Sequence, residues 1–413
     1  MKRNDRLVVF DVEGVLLPKR RLLLFEIAPR LGFLAFLRFL TIGILYEIGL
    51  LRIESALKRL YQLMKGMTID ELFRRFRRLP LAPDVTKLFS KVKKLGFKTA
   101  LISSGLPRLL VEDLAGKIGA DYASGLEIGL DDGILTGEIW GEVIKSEGKT
   151  AALRDILGKT KISPRDCIVV ADDRNNLSML QLCGVSIGFN PDFILSFNSD
   201  FAVTGSLLGI LPVLDGGNPA RGGPLSSSMV IRELIHLSGI LVPFVCMYLL
   251  NVPLVAASIL MVTSLYAISE FLRLTGINLP IVSTITTRSA DQYELQEFAT
   301  SPIFYAVGIM LSLLLFRQPV SYASIAILAF GDGFAAIFGR RLGRTVLPLN
   351  KAKKVEGSLS GWFFAFLGSL IFIDPLRALI GATVGTLAEC LPSPVNDNLV
   401  IPLASGLVLT LTL

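Results

Sequence analysis

Short apolar runs that end on polar, chemically capable residues fill the first half of the chain. Leu7–Phe10 runs into Asp11, Thr99–Ile102 into Ser103, and Ile168–Val170 into Asp172. Between them, apolar positions recur at helical spacing, as in Val85–Leu95 and Thr150–Leu157. Alternation of strand and helix predicts an α/β Rossmann-like parallel sheet, whose ligands bind at the carboxyl ends of the strands. Residues from about 20 to 80 interrupt that alternation with a helical insertion. Its stretch Leu31–Leu51 is unusually apolar but carries Arg38 and Glu47. We read it as a cap packed on the core; the other reading is an amphipathic surface dipping into a bilayer.

The pattern changes at residues 211–228. There the string DGGNPARGGPLSSS, rich in Gly, Pro and Ser, reads as a flexible linker. It divides a soluble domain over 1–210 from a second domain over 229–413. Apolar blocks follow near 234–250, 253–272, 300–316, 320–338, 359–373, 376–391 and 399–413. They predict an all-α polytopic membrane domain of about seven helices, although several blocks fall short of the roughly 20 residues of a full span. No repeat at solenoid periods is visible.

Composition agrees with this division. The hydrophobic fraction of 52% exceeds that of a globular chain, and the excess lies in the second half. The net charge of +7 comes from cap helices and loops next to apolar blocks. That placement points to membrane lipid or a nucleotide triphosphate as partner, and not to nucleic acid. Four cysteines, Cys167, Cys183, Cys246 and Cys390, show no zinc or disulfide spacing. MKRNDR runs straight into the first strand without a secretory signal, so the first domain is expected in the cytoplasm. The loop Arg340–Lys354 holds six basic residues. By the positive-inside rule it lies on the cytoplasmic side, and counting spans puts the loops 274–298 and 392–398 there too. The expected location is a multi-pass protein of the cell membrane with its polar motifs facing the cytoplasm.

The chemistry-bearing residues form two sets. In VVFDVEGVLL, Asp11 at a strand end can attack phosphorus, and Glu13 two residues on can protonate a leaving oxygen. Ser103 in ALISSG offers a hydroxyl, Lys149 in EGKTAAL a cation, and Asp172 in ADDRNNLSML a metal carboxylate. These motifs, with GVSIGFNP at 184–191, resemble the haloacid-dehalogenase-type phosphatases, nearest the phosphoserine phosphatase branch. The resemblance implies Asp11 as nucleophile and Glu13 as acid/base, a phosphomonoester substrate, and Mg²⁺ held by Asp11, Glu13 and Asp172. It also implies Ser103, Ser104, Lys149 and Asn175 as phosphate ligands. The chain departs from that branch at Glu13, where a second Asp is usual, and at Asn176, where a carboxylate is usual.

In the second half, polar groups stand at the edges of apolar blocks, where they are costly unless functional. They are Arg232 and His236 in RELIH, Glu270 and Arg273 in SEFLR, Asp332 in FGDGFAAIFGRRLGR, Lys353, Lys354 and Glu356 in KKVEGSLSG, Glu389, and NDN at 396–398. Carboxylates, cations and glycines together suit a metal-bound nucleotide phosphate, and the absence of GxxxxGK[ST] excludes a P-loop. The set resembles the CTP-dependent lipid kinases, namely the dolichol (polyprenol), phytol and CTP-using diacylglycerol kinases, which are related to phosphatidate cytidylyltransferases. The resemblance implies a CTP–Mg²⁺ site of Gly331, Asp332, Arg340, Lys353, Lys354, Glu356, Asp397 and Asn398. A lipid alcohol would be activated by Asp332, His236 or Glu270. The expectation is a fused enzyme with CTP as phosphoryl donor; the alternatives are a cytidylyltransferase or a non-catalytic anchor for the phosphatase.

Overall fold

The computed structural model describes residues 6–18, 38, 41, 42, 45, 51–145, 147–218, 225–274 and 276–412. Most of the apolar stretch Leu31–Leu51 therefore lies outside the described residues. The chain divides into two compact units, Met1–Pro219 and Ala220–Leu413.

In the first unit β1 (Leu7–Asp11) is buried throughout. An insertion follows, of which α1 (Ile53–Gln62) and α2 (Ile69–Phe76) are described, and then α3 (Val85–Lys94). Next come β2 (Lys98–Pro107), α4 (Arg108–Ile118), β3 (Tyr122–Asp131), β4 (Ile134–Trp140), α5 (Gly148–Thr160) and β5 (Cys167–Ala171). The unit ends with α6 (Leu177–Leu182), β6 (Val185–Phe189), α7 (Phe193–Asn198), β7 (Phe201–Val203) and α8 (Leu211–Leu214). The strands form one sheet in the order β4-β3-β2-β1-β5-β6-β7. All pairings are parallel except the hairpin β3–β4, so the sheet is mixed at one edge where the sequence predicted a parallel one.

That order fixes where the chemistry gathers. β1 lies between β2 and β5, with Asp11 opposite Ile102 of β2. The β1–β2 ladder ends at Asp11 and Ile102, so Asp11, Ser103 of β2 and Asp172 just after β5 come side by side. In the insertion, α1 buries Ala56, Leu57, Leu60 and Tyr61. Ala56 and Leu60 pack with Ile42 in a small apolar cluster of the cap. Thr68 caps α2 by accepting from the Glu71 amide.

The second unit is helical: α9 (Ser227–Ser238), α10 (Leu241–Tyr248), α11 (Val252–Leu274), α12 (Pro280–Ser289), α13 (Ser301–Leu315), α14 (Val320–Leu342), α15 (Val355–Ser369), α16 (Pro375–Cys390) and α17 (Asp397–Leu411). Three helical stretches, Ser227–Tyr248, Val252–Leu274 and Val320–Leu342, are long and apolar enough to cross a membrane, and Ser301–Leu315 and Asp397–Leu411 are shorter apolar helices. The seven apolar blocks all fall on helices; α12 is an additional short helix inside the loop expected at 274–298.

α14 is the hub. Its residues Tyr322, Ala323, Ile325, Ile327 and Leu328 are buried in a core shared with Tyr305, Leu313, Ala365, Ala382 and Leu409. Against α15 the contact is backbone to backbone. A Cβ on Gly361 would stand 2.8 Å from the Gly331 carbonyl oxygen, and one on Gly357 would stand 2.8 Å from that of Ala335. Small residues permit this approach, which supplies dispersion contacts where lipid offers no hydrophobic drive.

Candidate active sites

Burial of a charge demands partners, and the first unit supplies them around Asp11. Asp11 is 2% exposed, and Lys149 donates to both of its carboxylate oxygens at 2.8 Å. Lys149 reaches Asp11 from the first turn of α5, whose N-cap Glu147 adopts a left-handed φ of 61°. Its ammonium also donates to Asn176 Oδ1 at 2.9 Å. Asn176 returns its amide to Asp11 Oδ2 at 2.5 Å and to Asp173 Oδ1 at 3.0 Å. Burial opposes the charge of Lys149, but Asp11, Asp173 and Glu13 outweigh it and raise its pKa. Burial likewise raises the pKa of Asp11, with Lys149 opposing.

Glu13, two residues after Asp11, is held by Ser103. Ser103, fully buried, donates to Glu13 Oε1 at 2.8 Å while accepting from the Leu106 amide at 2.8 Å and the Gly105 amide at 3.2 Å. Burial, then the negative charge of Asp11, pushes the Glu13 carboxyl up to about 7. Two glycines make room for these groups. A Cβ on Gly14, whose φ is +83°, would meet Asp172 Oδ2 at 2.1 Å, and one on Gly105 would meet Glu13 Oε1 at 2.6 Å. From the cap, Tyr61 donates to the Gly105 carbonyl at 2.8 Å, tying α1 to the loop beside Glu13.

Asp11, Asp172 and Asp173 each bring one oxygen to within 4.8 Å of the others. Three clustered carboxylate oxygens are the hard donor set that Mg²⁺ takes, so these residues fit that ion. Glu13, expected at the metal, stands outside this trio and is bonded to Ser103; Asp173 joins the trio instead. Asn175, expected at the phosphate, is exposed, and its amide donates to Asp173 Oδ2 at 3.1 Å. The 3₁₀ turn Arg174–Asn176 points the two neighbouring asparagines in different directions, and it is Asn176 that reaches Asp11 and Lys149. Ser104 is buried beside Ser103.

In the second unit the polar residues form two linked groups and a separate clamp. In the first group, His236 Nδ1 of α9 lies 3.1 Å from Asp332 Oδ2 of α14, an ion-pair contact once the imidazole is protonated. The imidazole stacks on Tyr305, with ring centroids 4.4 Å apart, and the Tyr305 hydroxyl donates to the His236 carbonyl. Glu233, one turn earlier, is 2% exposed; Arg232 Nε approaches its Oε1 at 3.4 Å, and its Oε2 has no hydrogen-bond partner among the described residues. Arg232 also reaches Glu294 at 3.5 Å.

In the second group, Lys353 donates to the Glu389 carbonyl at 2.7 Å and to Asp397 Oδ2 at 2.5 Å, and lies 3.3 Å from Glu389 Oε1. Asp332 is within electrostatic reach of Lys353, Glu389 and Asp397, which joins the two groups. Asn398 is buried at the start of α17, with no partner for its Oδ1 among the described residues. Asn396 caps that helix by accepting from the Asn398 amide.

The other expected residues have structural partners. Glu356 accepts from the Thr345 amide and hydroxyl at 3.0 Å, which pins the loop between α14 and α15. Lys354 pairs with Val346 across that loop and lays its stem against Gly343. Gly331 faces α15, and Arg340 is exposed at the end of α14. Glu270, fully buried, is bonded to Arg273 at 2.8 and 2.9 Å and to the Ala299 amide at 3.1 Å, while Arg273 grips the Leu295 and Glu297 carbonyls. Glu270 thus fastens a loop through Arg273 and the Ala299 amide. Glu233 and Glu294 escaped the sequence reading. The signal available for Glu233 was its place one turn before His236 on the same helix face.

Residues 8–181 match the family of haloacid dehalogenase-like hydrolases. A phosphoserine phosphatase of Archaeoglobus fulgidus is 30% identical over 51% of this chain and 60% of its own length. One from Methanocaldococcus jannaschii is 27% identical over 49% of this chain and 94% of its own. A probable chloroplastic phytol kinase of Zea mays is 33% identical over 27% of this chain and 44% of its own. Thus the chain spans three fifths of the Archaeoglobus relative and under half of the maize one. A solved phosphoserine phosphatase carrying a phospho-aspartyl intermediate analogue is 27% identical, covers 50% of this chain and 98% of its own, and has a TM-score of 0.46. The first half is a haloacid-dehalogenase-type, phosphoserine-phosphatase-like domain, and part of the second half is homologous to phytol kinases.

Proposed function

We propose that the chain is a fused membrane enzyme that handles phosphate at two sites. Its first half hydrolyses a phosphomonoester through an aspartyl-phosphate, and its second half transfers a phosphoryl group from CTP to the hydroxyl of a polyprenol- or dolichol-type lipid alcohol. The observation that carries the first part is Lys149 held against Asp11 beside a three-carboxylate group.

In this reading an Asp11 oxygen forms a bond to phosphorus as the bond to the leaving oxygen breaks. Glu13, whose carboxyl titrates at about 7, donates the proton that the leaving oxygen needs. Water then attacks the aspartyl-phosphate; Glu13 takes its proton back, and phosphate departs with Asp11 restored. Lys149 and the Asn176 amide hold Asp11 in line throughout. Asp11, Asp172 and Asp173 would hold Mg²⁺, which when bound neutralises charge on the phosphoryl oxygens.

For the second half, support comes from Lys353 at the junction of α15, α16 and α17 with Asp332–His236 in electrostatic reach, together with the homology to phytol kinases. Lys353 would meet nucleotide phosphate oxygens, and Asp332 and Asp397 the accompanying metal. Membranes containing the chain should move label from γ-labelled CTP, and not from α-labelled CTP, onto a polyprenol. Label from the α position on the lipid would make the second half a cytidylyltransferase, and no lipid label from either would leave it without this activity.

A further inference from the structure

Charge is sorted between the parts of the first unit. Residues 51–80 of the cap carry eight Lys and Arg against three Asp and Glu. The rest of the described unit carries fifteen against nineteen. The kind of cation differs as well. Six of the cap's eight are arginine, whereas ten of the other fifteen are lysine. A face that only needs solvating gains nothing from that choice, because a compact ammonium is the more strongly hydrated group. A guanidinium instead presents a planar fork of donors that suits phosphate oxygens.

Four of these arginines, Arg74, Arg75, Arg77 and Arg78, stand on α2 or in the turn that closes it. The helix buries Leu72 and Phe76. At about 100° per residue Arg74 lies nearly opposite both, with Arg77 and Arg78 flanking it. Two of the four are held. Arg75 pairs with Glu71 at 2.8 Å, and Arg77 grips Asp113 of α4 at 2.6 Å while lying over the Phe73 ring, 5.3 Å from its centroid. The other two, Arg74 and Arg78, are exposed and have no hydrogen bond or ion pair among the described residues. Asp70, Phe73, Arg74 and Arg77 line an open cavity of about 520 Å³. One guanidinium is thus fixed at the cavity and another is left free beside it. Asp70 adds an acceptor there for a hydroxyl.

We propose that the cap docks through Arg74, Arg77 and Arg78 on the headgroup phosphates of an anionic bilayer. Charge complementarity selects the partner, and chain connectivity supplies it. The same chain continues into Val252–Leu274 and Val320–Leu342, helices long and apolar enough to cross a membrane. A lipid surface is therefore present at high effective concentration, so a few guanidinium–phosphate contacts are enough. The docking rests on neither catalytic reading, since none of the three arginines belongs to either candidate active site.

Arginine footprinting of the full-length chain in lipid nanodiscs tests this. Phenylglyoxal modifies exposed guanidinium groups, and mass spectrometry reads the rate at each site. Discs of phosphatidylcholine alone are compared with discs in which about a third of it is replaced by phosphatidylglycerol. Arg74 and Arg78 should react about fivefold or more slowly in the anionic discs. Arg154 and Arg165, exposed on the same unit outside the cap, should change by less than about twofold and serve as internal references. Raising NaCl to about 0.5 M should restore the rates at Arg74 and Arg78, because screening then acts within a few ångströms. Rates that do not differ between the discs would overturn the docking. So would equal slowing at all four arginines, which is a general effect of the surface charge. Slowing that survives the salt would also overturn it, because the contact would then be apolar and not ionic.

Discussion

Lys149 Nζ stands 2.8 Å from each carboxylate oxygen of Asp11, and both side chains are less than a tenth exposed. The pair is the electrostatic keystone of the first unit. Each charge is tolerable only because the other is there, and a phosphate entering the site must share the ammonium with Asp11.

Replacing Lys149 by Met leaves Asp11 buried without its cation. Phosphatase kcat should fall by about 10²-fold or more, as when a charge-stabilising donor is removed. Rapid-quench trapping of the acid-stable phosphoenzyme should show slower formation of aspartyl-phosphate. Unchanged formation with slower release would assign Lys149 to the second step instead.

Asp173 and Asn175 are neighbours with different duties. Asp173→Ala removes one of three clustered carboxylates and should weaken Mg²⁺ binding, read by calorimetry, by about tenfold or more. Asn175→Ala alters an exposed amide and should leave that affinity within about twofold. Equal weakening in both would contradict the geometry around the trio.

Glu13 gives the first unit a pH signature. Its carboxyl titrates at about 7 when folded, above the ordinary value of 4.5, so the folded form binds the proton more tightly. Stability from this group is present below the ordinary value and lost as pH rises through about 7; burial of Asp11 acts in the same direction. Without magnesium, urea midpoints followed by Trp140 fluorescence in a Trp362→Phe background should fall between about pH 5 and about pH 8. The fall should be shallower in Glu13→Gln. An identical slope in that variant would place the titration elsewhere.

The Glu270–Arg273 clamp should matter to stability more than to chemistry. Arg273→Ala strands a fully buried carboxylate and is expected to destabilise the second unit by roughly 3–5 kcal/mol, seen as a lower melting temperature in detergent. Arg273→Met with Glu270→Gln should recover part of that loss. A stable Arg273→Ala chain that had lost activity would instead bring Glu270 back among the catalytic groups.

Much of this was legible from hydrophobic patterning. A buried β run ending in Asp11, and two more leading into Ser103 and Asp172, marked the strands that carry the site, although β2 runs on to Pro107 and the strand order came from the structure. The apolar blocks located the helices of the second unit for the same reason. Side-chain direction was not legible. Asn175 and Asn176 have identical chemistry, and a 3₁₀ turn decides which of them meets Asp11. Glu270 was named by likeness to the lipid kinases, and the sequence did not show that Arg273 and the Ala299 amide hydrogen-bond its carboxylate. The hairpin strand β4 escaped although the sequence marks it: Asp132-Gly133, both at positive φ, is the two-residue turn that joins Asp131 to Ile134.

The seam between α14 and α15 has a mechanical consequence. Where Gly331, Gly357 and Gly361 bring two backbones together, no flexible side chain remains to absorb a shear. Asp332 and the loop bearing Lys353 are therefore riveted to a common strut. Their spacing should hold when the surrounding bilayer thickens, thins or changes its lateral pressure, while the outer helices α11 and α12 take up the mismatch.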